Sequence, residues 1–600
     1  MIGAGYYCLR LVSHTYKLTH SPEQKVIIAY NKAYEKDAGN ILAAYKSVLQ
    51  EEGVPYETIE ISRLIASSPK TFPNSNPAII LPDGLLKSMP EGTANWIQRY
   101  LDCGGNLLAV YDPGVQTPHG YFLEKATLAE IVGINYMTYK TLGEKAYTQG
   151  YIRFKSENEA AFFQIPPGKI NDSNLLTGYA YGSLSYPFAM TEILKPSPET
   201  SILADAVTEN GDGCPAITIK KYTKGTALFV DLPLGYLKAY SSDDLPLRAF
   251  IRTFLFTIVK IPHLLNSAQG KGALVVNWHI DSSVEWTKIP EAISNKYLRN
   301  DLRYSIHITA GDFSDMEGDG LGFDACGKAA DVAKSLLNYG IIGSHGGWAH
   351  NWFADNLKNN RLSEDDTGLY IRKNKTCLEG LTRYPILEYS APAGVYPQPM
   401  NTELLERLGF NSYYYTGDMA SSPNRAFYNG KMISSQVIAF PVQSLKKSAS
   451  LFEMSQKGIP EKEVQSWLTG LVDYIIENRT TRLFYSHIYD IDNYPQAILA
   501  FLDYASQKQR EGRLNVAPMS EIAGFFQKFL KTMYSFQKID NRLSVVLKNE
   551  AGLSGITFAL PRDKYLMGRD SGVTLTEDKN YYYLTVNEDV KEKTFIFDCR

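Results

Sequence analysis

The sequence predicts a multidomain α/β chain. A doubly wound α/β unit spans 25–265, behind an N-terminal extension of 1–24. A strand-and-helix unit spans 270–535, and a small β-sandwich spans 540–600. Three observations carry this. Short apolar runs alternate with amphipathic helices near the start. Histidines gather at the ends of strand-like runs in the middle. Short strands separated by Gly, Asp and Asn turn signals close the chain. At 600 residues the length suits several domains.

In the first unit, Lys25–Tyr30 is an apolar run suited to a buried parallel strand. Asp37 is expected to cap a helix running to Glu52, with Gly53 just past its end. Ile41, Leu42, Tyr45, Val48 and Leu49 form its apolar stripe. Further strands are expected at Tyr56–Ile61, Ala78–Leu81, Asn106–Tyr111 and Gly225–Asp231. A closing helix carries Leu247, Phe250, Ile251, Phe254, Leu255 and Ile258. The pattern resembles Rossmann or flavodoxin-like domains and amidotransferase-like ones. The turn after Asn106–Tyr111 is Asp112-Pro113-Gly114, which is no nucleophile elbow. No glycine-rich phosphate loop follows Tyr30, so the unit reads as non-catalytic: structural or a binding platform.

The end of the chain has strand-like runs at Leu543–Leu547, Gly555–Leu560, Tyr581–Val586 and Thr594–Phe597.

In the middle, Gly272–Asp281 reads as a strand, which puts Asn277, His279 and Asp281 on one face. Polar side chains at the end of a buried strand are what a barrel site needs. Alone, His279 reads as a satisfied core histidine. A helix from Lys328 to Tyr339 then leads into I-I-G-S-H-G-G-W-A-H-N, carrying His345 and His350. Five residues apart, they do not share a helix face, so this is no H-E-x-x-H site. They converge from a strand end and a loop, with Gly346 and Gly347 allowing the turn. Two histidines and a carboxylate make a common catalytic metal shell. Downstream, Glu388 and Ser390 share a strand face, and Asp418 ends Phe410–Asp418. His487 ends Arg482–Asp490 after an amphipathic helix bearing Val464, Trp467, Leu468, Leu471, Ile475 and Ile476.

In this order the pieces resemble the NodB-type polysaccharide deacetylase superfamily (carbohydrate esterase family 4-like). They are most like its long multidomain branch of Pel-type exopolysaccharide deacetylases. The resemblance covers about 250 residues. It implies an irregular (β/α)7 barrel with one divalent metal, usually zinc. Asp281 stands at the acidic first motif and His345 and His350 at the metal pair. Ser390-Ala391-Pro392 stands where an Arg-x-Pro motif lines the groove, Asp418 near the fourth motif, and His487 at the final histidine, with Tyr485 in the place of a leucine. Only one carboxylate, Asp281, occupies the first motif; Glu285 lies four residues on. The histidine spacing is five rather than four, and the groove arginine is absent.

The resemblance implies removal of N-acetyl groups from an amino-sugar polysaccharide. His345 and His350 are ligands, Asp281 is the third ligand or the base, Glu285 is the alternative base and His487 is the acid. Ser390 and Asp418 line the groove, and Trp348, Tyr396 and Tyr485 are candidates for packing on sugar faces, although core packing accounts for these three equally well. A degenerate, non-catalytic carbohydrate-binding scaffold is the competing reading, favoured by the missing carboxylate. An O-acetyl ester or a peptidoglycan amide as substrate is a third.

The remaining composition fits. With 61 Lys+Arg against 64 Asp+Glu the formal net charge is −3, which argues against nucleic acid as main partner. The 41 tyrosines offer flat apolar faces with polar tips. No run of about 18 apolar residues marks a transmembrane helix, and the start is too short and too broken by Arg10 for a full signal sequence. The six cysteines are scattered, which excludes a zinc ribbon and a dense disulfide scaffold. The substrate class implies an extracellular, cell-surface or periplasmic location, with exopolysaccharide export or synthesis proteins as partners.

Overall fold

The computed structural model describes residues 24–176, 185–195, 197–311, 322–539, 542–566 and 572–599. The N-terminal extension thus lies outside the described residues, save Gln24. The chain is a multidomain α/β protein built on a parallel barrel-like sheet and several further sheets.

The first unit is a nine-stranded mixed sheet. Five strands run parallel: Tyr56–Glu60, Val26–Tyr30, Ala78–Leu81, Asn106–Val110 and Thr226–Val230. Four more continue it antiparallel: Gly213–Lys221, Thr200–Thr208, Tyr147–Phe154 and Tyr186–Ala189. The expected doubly wound pattern is therefore half of the sheet. The antiparallel half was not read from sequence: Tyr147–Phe154 and Thr200–Thr208 are partly exposed and lack continuous apolar runs, and Gly213–Lys221, though buried, is broken by Pro215 and Thr218. The helix expected from Asp37 begins earlier, at Lys32–Glu51. The side chain of Asn31 accepts from Ala33 N and caps it.

The central unit carries the parallel sheet. Its strands are β1 (Gly272–Ile280), β2 (Tyr304–Ile308), β3 (Gly340–His345), β4 (Glu388–Ser390), β5 (Ser412–Tyr415), β6 (Ile438–Pro441), β7 (Thr481–His487) and β8 (Leu514–Val516). The order is β6-β5-β4-β3-β2-β1-β7, with β8 beside the start of β1. Just past β6, a parallel bridge from Val442 to Leu483 of β7 brings the two edges together and nearly closes the barrel. Alternation along each strand sorts the side chains. Leu274, Val276, Trp278 and Ile280 of β1 share a core with Tyr304, Ile306 and Ile308, Tyr389, Phe484 and the surrounding helices. The alternate positions face inward. In register, His279 of β1 stands beside His307 of β2 and His487 of β7, and His345 of β3 beside Ser390 of β4.

The last segment, joined by His263–Leu265 and Met533–Ile539 from before it, forms two four-stranded antiparallel sheets. One holds His263–Leu265, Thr557–Pro561, Tyr581–Val586 and Val573–Glu577. The other holds Met533–Ile539, Arg542–Lys548, Glu592–Cys599 and Tyr565–Leu566. Their inner faces pack together through Phe558, Leu584 and Val586 against Val545, Leu547 and Phe595.

A buried charge network ties the first unit to the barrel. Arg248 pairs with Glu51, Glu52 and Asp244 at 2.6–2.7 Å. Lys238 reaches Asp244 at 3.1 Å and Asp418 at 3.2 Å. Among the described residues, Cys326 and Cys377 form a disulfide.

Candidate metal centre

The C-terminal ends of β1, β3 and β7 bring together the residues read from the sequence. One ligand atom each from Asp281, His345 and His350 lies within 4.8 Å of the others. Asp281 follows β1, and His345 ends β3. His350 caps the following helix, Asn351–Lys358. Gly346 makes the turn between the two histidines: its φ is +67°, and a Cβ there would meet the Pro392 ring at 2.2 Å.

Hydrogen bonds aim these side chains. His345 Nδ1 pairs with Ser390 Oγ at 2.7 Å, which leaves His345 Nε2 buried without a partner. His350 Nδ1 pairs with Asn351 Oδ1 at 2.9 Å, and its Nε2 lies 3.2 Å from Asp281 Oδ2. His487 Nε2 lies 3.3 Å from the same oxygen, while its Nδ1 lies 3.3 Å from Asp490 Oδ2. Asp281 Oδ1 is buried without a partner. Unpartnered donors of this kind, with a second layer orienting them, fit a divalent cation.

The charges follow from the surroundings. Burial holds His345 well below the ordinary histidine value, as it does His279. Both rings are therefore neutral, as a ligand must be. Burial works against the charge of His487 too, but Asp281 and Asp490 outweigh it and hold His487 well above its ordinary value. Burial likewise opposes ionisation of Asp281, yet His487 and His350 hold it below the carboxylate range.

No family model matches the chain, and no curated protein matches it. Some solved structures align with it. The carbohydrate deacetylase Agd3 does so at 10% identity, over 96% of this chain and 98% of that one, with a TM-score of 0.41. The peptidoglycan deacetylase PdaC from Bacillus subtilis aligns at 13% identity, over 43% of this chain and 92% of that one, with a TM-score of 0.24. A β-galactosidase from Bacillus circulans aligns at 15% identity, over 42% of this chain and 33% of that one, with a TM-score of 0.28.

The other expected residues divide. Ser390 orients His345 instead of lining an open groove. Tyr485 packs on His279, ring centroids 5.0 Å apart. Trp348 sits in the loop between the two histidines, with Lys373 Nζ 4.0 Å from its ring. Tyr396 stacks on Tyr413 at 4.7 Å and bonds Thr402, an arrangement that fills core. Glu285 is buried at the start of its helix, where Oε2 accepts from Asp281 N and Ser282 N. Burial and then Asp281 push its carboxyl well above the usual range. It shapes the turn that holds Asp281. Asp418 does not join the cluster's contacts. Its oxygens take Asp244 N at 3.0 Å and Lys238 Nζ at 3.2 Å, in the network between the units.

Two residues lacked a role in the sequence reading. Asp490 holds His487 from behind, and its spacing of three from His487 was the available signal. His279 sits among His345, His487 and Tyr485. His307 instead pairs with buried Glu388, whose other oxygen takes Ser520 N.

A cavity of about 530 Å³ lies beyond the C-terminal ends of the parallel strands of the first sheet, lined by Asp83, Tyr111, Asp112 and Asp243 among others. Asp83 and Asp112 spend oxygens on the backbone amides of Gly235, Tyr236 and Gly84.

Proposed function

We propose that the chain is a metal-dependent hydrolase that removes N-acetyl groups from an amino-sugar polysaccharide, an exopolysaccharide or a cell-wall glycan. The observation that carries this is the convergence of Asp281, His345 and His350, with two unpartnered buried donor atoms, at the C-terminal mouth of a parallel barrel. His345 Nε2, His350 Nε2 and the Asp281 carboxylate would hold one divalent metal, for which zinc suits the nitrogen-rich set. What a metal supplies at such a site is a lowered pKa for water and polarisation of an amide carbonyl.

The chain's own residues do the rest. Asp281 takes the proton of the attacking water through the carboxylate oxygen that does not hold the metal. The water oxygen adds to the acetyl carbon. His487, which already carries a proton, gives it to the amide nitrogen. The C–N bond then breaks, releasing acetate and the free amine of the sugar. Asp490 keeps His487 charged between turnovers. Glu285 holds the backbone of the Asp281 turn. Trp348, in the loop between the two histidines, is the candidate face for a sugar ring, while Tyr485 lies buried against His279.

An oxidising compartment suits the Cys326–Cys377 disulfide. No helix among the described residues is long and apolar enough to cross a membrane. The disulfide supports an extracellular, cell-surface or periplasmic place, and the proposed substrate implies exopolysaccharide export or synthesis proteins as partners. The unit at 25–265 acts as a platform beside the barrel.

The test is metal analysis of the purified protein together with acetate release from N-acetylhexosamine oligomers. Bound metal with acetate release supports the reading. Metal-free, inactive protein that still binds the oligomers makes it a carbohydrate-binding scaffold instead.

A further inference from the structure

We infer that His279 is a further ligand of the metal in this centre, entering through Nδ1. The inference rests on the metal-site reading above and goes beyond its three residues.

The position comes first. His279 lies on the inner face of β1, two residues before Asp281. Its ring centroid is 4.3 Å from that of His345. One ring nitrogen each from His279, His345 and His487 lies within 4.8 Å of the others, so His345 belongs to two overlapping groups of donors. Its Nε2 is buried without a partner, while its Nδ1 is held by Ser390.

The tautomer comes second. Asn277 Nδ2 donates to the carbonyl of Ser305 at 3.1 Å. A backbone carbonyl only accepts, so the orientation of the Asn277 amide is fixed. Its Oδ1 therefore faces His279 Nε2, at 2.9 Å. An amide oxygen also only accepts, so Nε2 carries the hydrogen and a neutral ring presents its lone pair at Nδ1. A ring fixed through one nitrogen by an outer partner, with the other nitrogen bare, is the arrangement of a metal-ligating histidine.

His487 differs in this respect. Each of its nitrogens faces a carboxylate, Asp281 on one side and Asp490 on the other. It is built to hold a proton. Of the two histidines that share a donor group with His345 but not with His350, only His279 offers a lone pair.

The consequence concerns the single carboxylate of the loop. With His279 supplying a nitrogen donor, the shell no longer depends on Asp281 alone as its third member. The Asp281 oxygen that does not hold the metal is left to take a proton.

X-ray absorption on the full chain loaded with one equivalent of Zn2+ tests this without any substitution. Three coordinated imidazoles are expected, from His279, His345 and His350. Two imidazoles overturn this inference and leave the metal-site reading standing. No bound zinc overturns both. In parallel, Asn277→Ala is expected to lower Zn2+ affinity by about 10–100-fold, the usual effect of losing an orienting partner, and His279→Ala by at least as much. Unchanged affinity in a folded His279→Ala protein overturns the assignment.

Discussion

His487 and Asp281 meet through Nε2 and Oδ2 at 3.3 Å, with Asp490 closing on the far nitrogen of the ring. The pair is an imidazolium against a carboxylate, with Asp281 buried and His487 partly exposed. In the proposed reaction it stores the proton that the leaving amine needs. His487→Gln is expected to lower turnover about 10²–10⁴-fold, the range for a lost general acid. Zinc content should stay unchanged, because His487 is not assigned as a ligand. Turnover and metal content measured on the same preparation check this. The pH window follows from the directions. Activity falls on the acid side as Asp281 takes a proton, at a pH below the ordinary carboxylate range. It falls on the basic side as His487 loses its proton, above the ordinary histidine range.

Arg248 places a stability test far from the chemistry. Its guanidinium is buried against Glu51, Glu52 and Asp244. Burial opposes its charge, but these carboxylates outweigh that and hold the group charged. Arg248→Met leaves buried carboxylates short of a partner and is expected to cost about 3–5 kcal/mol. Chemical denaturation reads this as a lower midpoint.

Asp112 sets a pH-dependent contribution to stability. Burial pushes it up to about 6, against the pull of the Gly84 amide and Lys87. The unfolded value is about 4. Between these two values the native state binds more protons than the unfolded chain, so this group adds stability as pH falls from 6 toward 4. At about 1.4 kcal/mol per unit the contribution is about 3 kcal/mol. Asp112→Asn should flatten that part of the stability curve, measured as unfolding midpoint against pH. The amide oxygen can still accept from Gly84 N.

The Cys326–Cys377 bridge closes a loop with a sequence separation of 51. Restricting the unfolded chain over such a loop is worth about 2–4 kcal/mol. Cys377→Ser is expected to lower stability by that amount under oxidising conditions and to leave the wild type and the variant alike after reduction. Paired urea titrations with and without a thiol reductant check it.

The legible part of the site was the part coded by local spacing. His345 and His350 sit five residues apart around two glycines, and Asp281 ends an apolar strand. Each of these is a short-range pattern. His279 was equally visible on the strand face, but a single buried histidine is ordinary core until its neighbours are known. Those neighbours, His345 and His487, are 66 and 208 residues away by number. Asp418 failed for the same reason in reverse. It stands at a strand end, as a groove residue would, but Lys238 from the first unit lies 180 residues upstream and claims it. Ser390 fell on its expected strand and Tyr396 in the loop that follows, yet their side chains serve His345 and Tyr413. The parallel strands of the first unit were readable because buried strands are continuously apolar. The antiparallel extension was not, because Tyr147–Phe154 and Thr200–Thr208 are partly exposed and mix polar with apolar residues.

The central claim is that Asp281, His345 and His350 form a metal centre that deacetylates amino-sugar polymers. Its most direct test measures bound metal and acetate released from N-acetylhexosamine oligomers, for the wild type and for His345→Ala and His350→Ala. The account predicts about one divalent ion per wild-type chain and loss of both metal and acetate release in each variant. Variants that keep both metal and activity would contradict it.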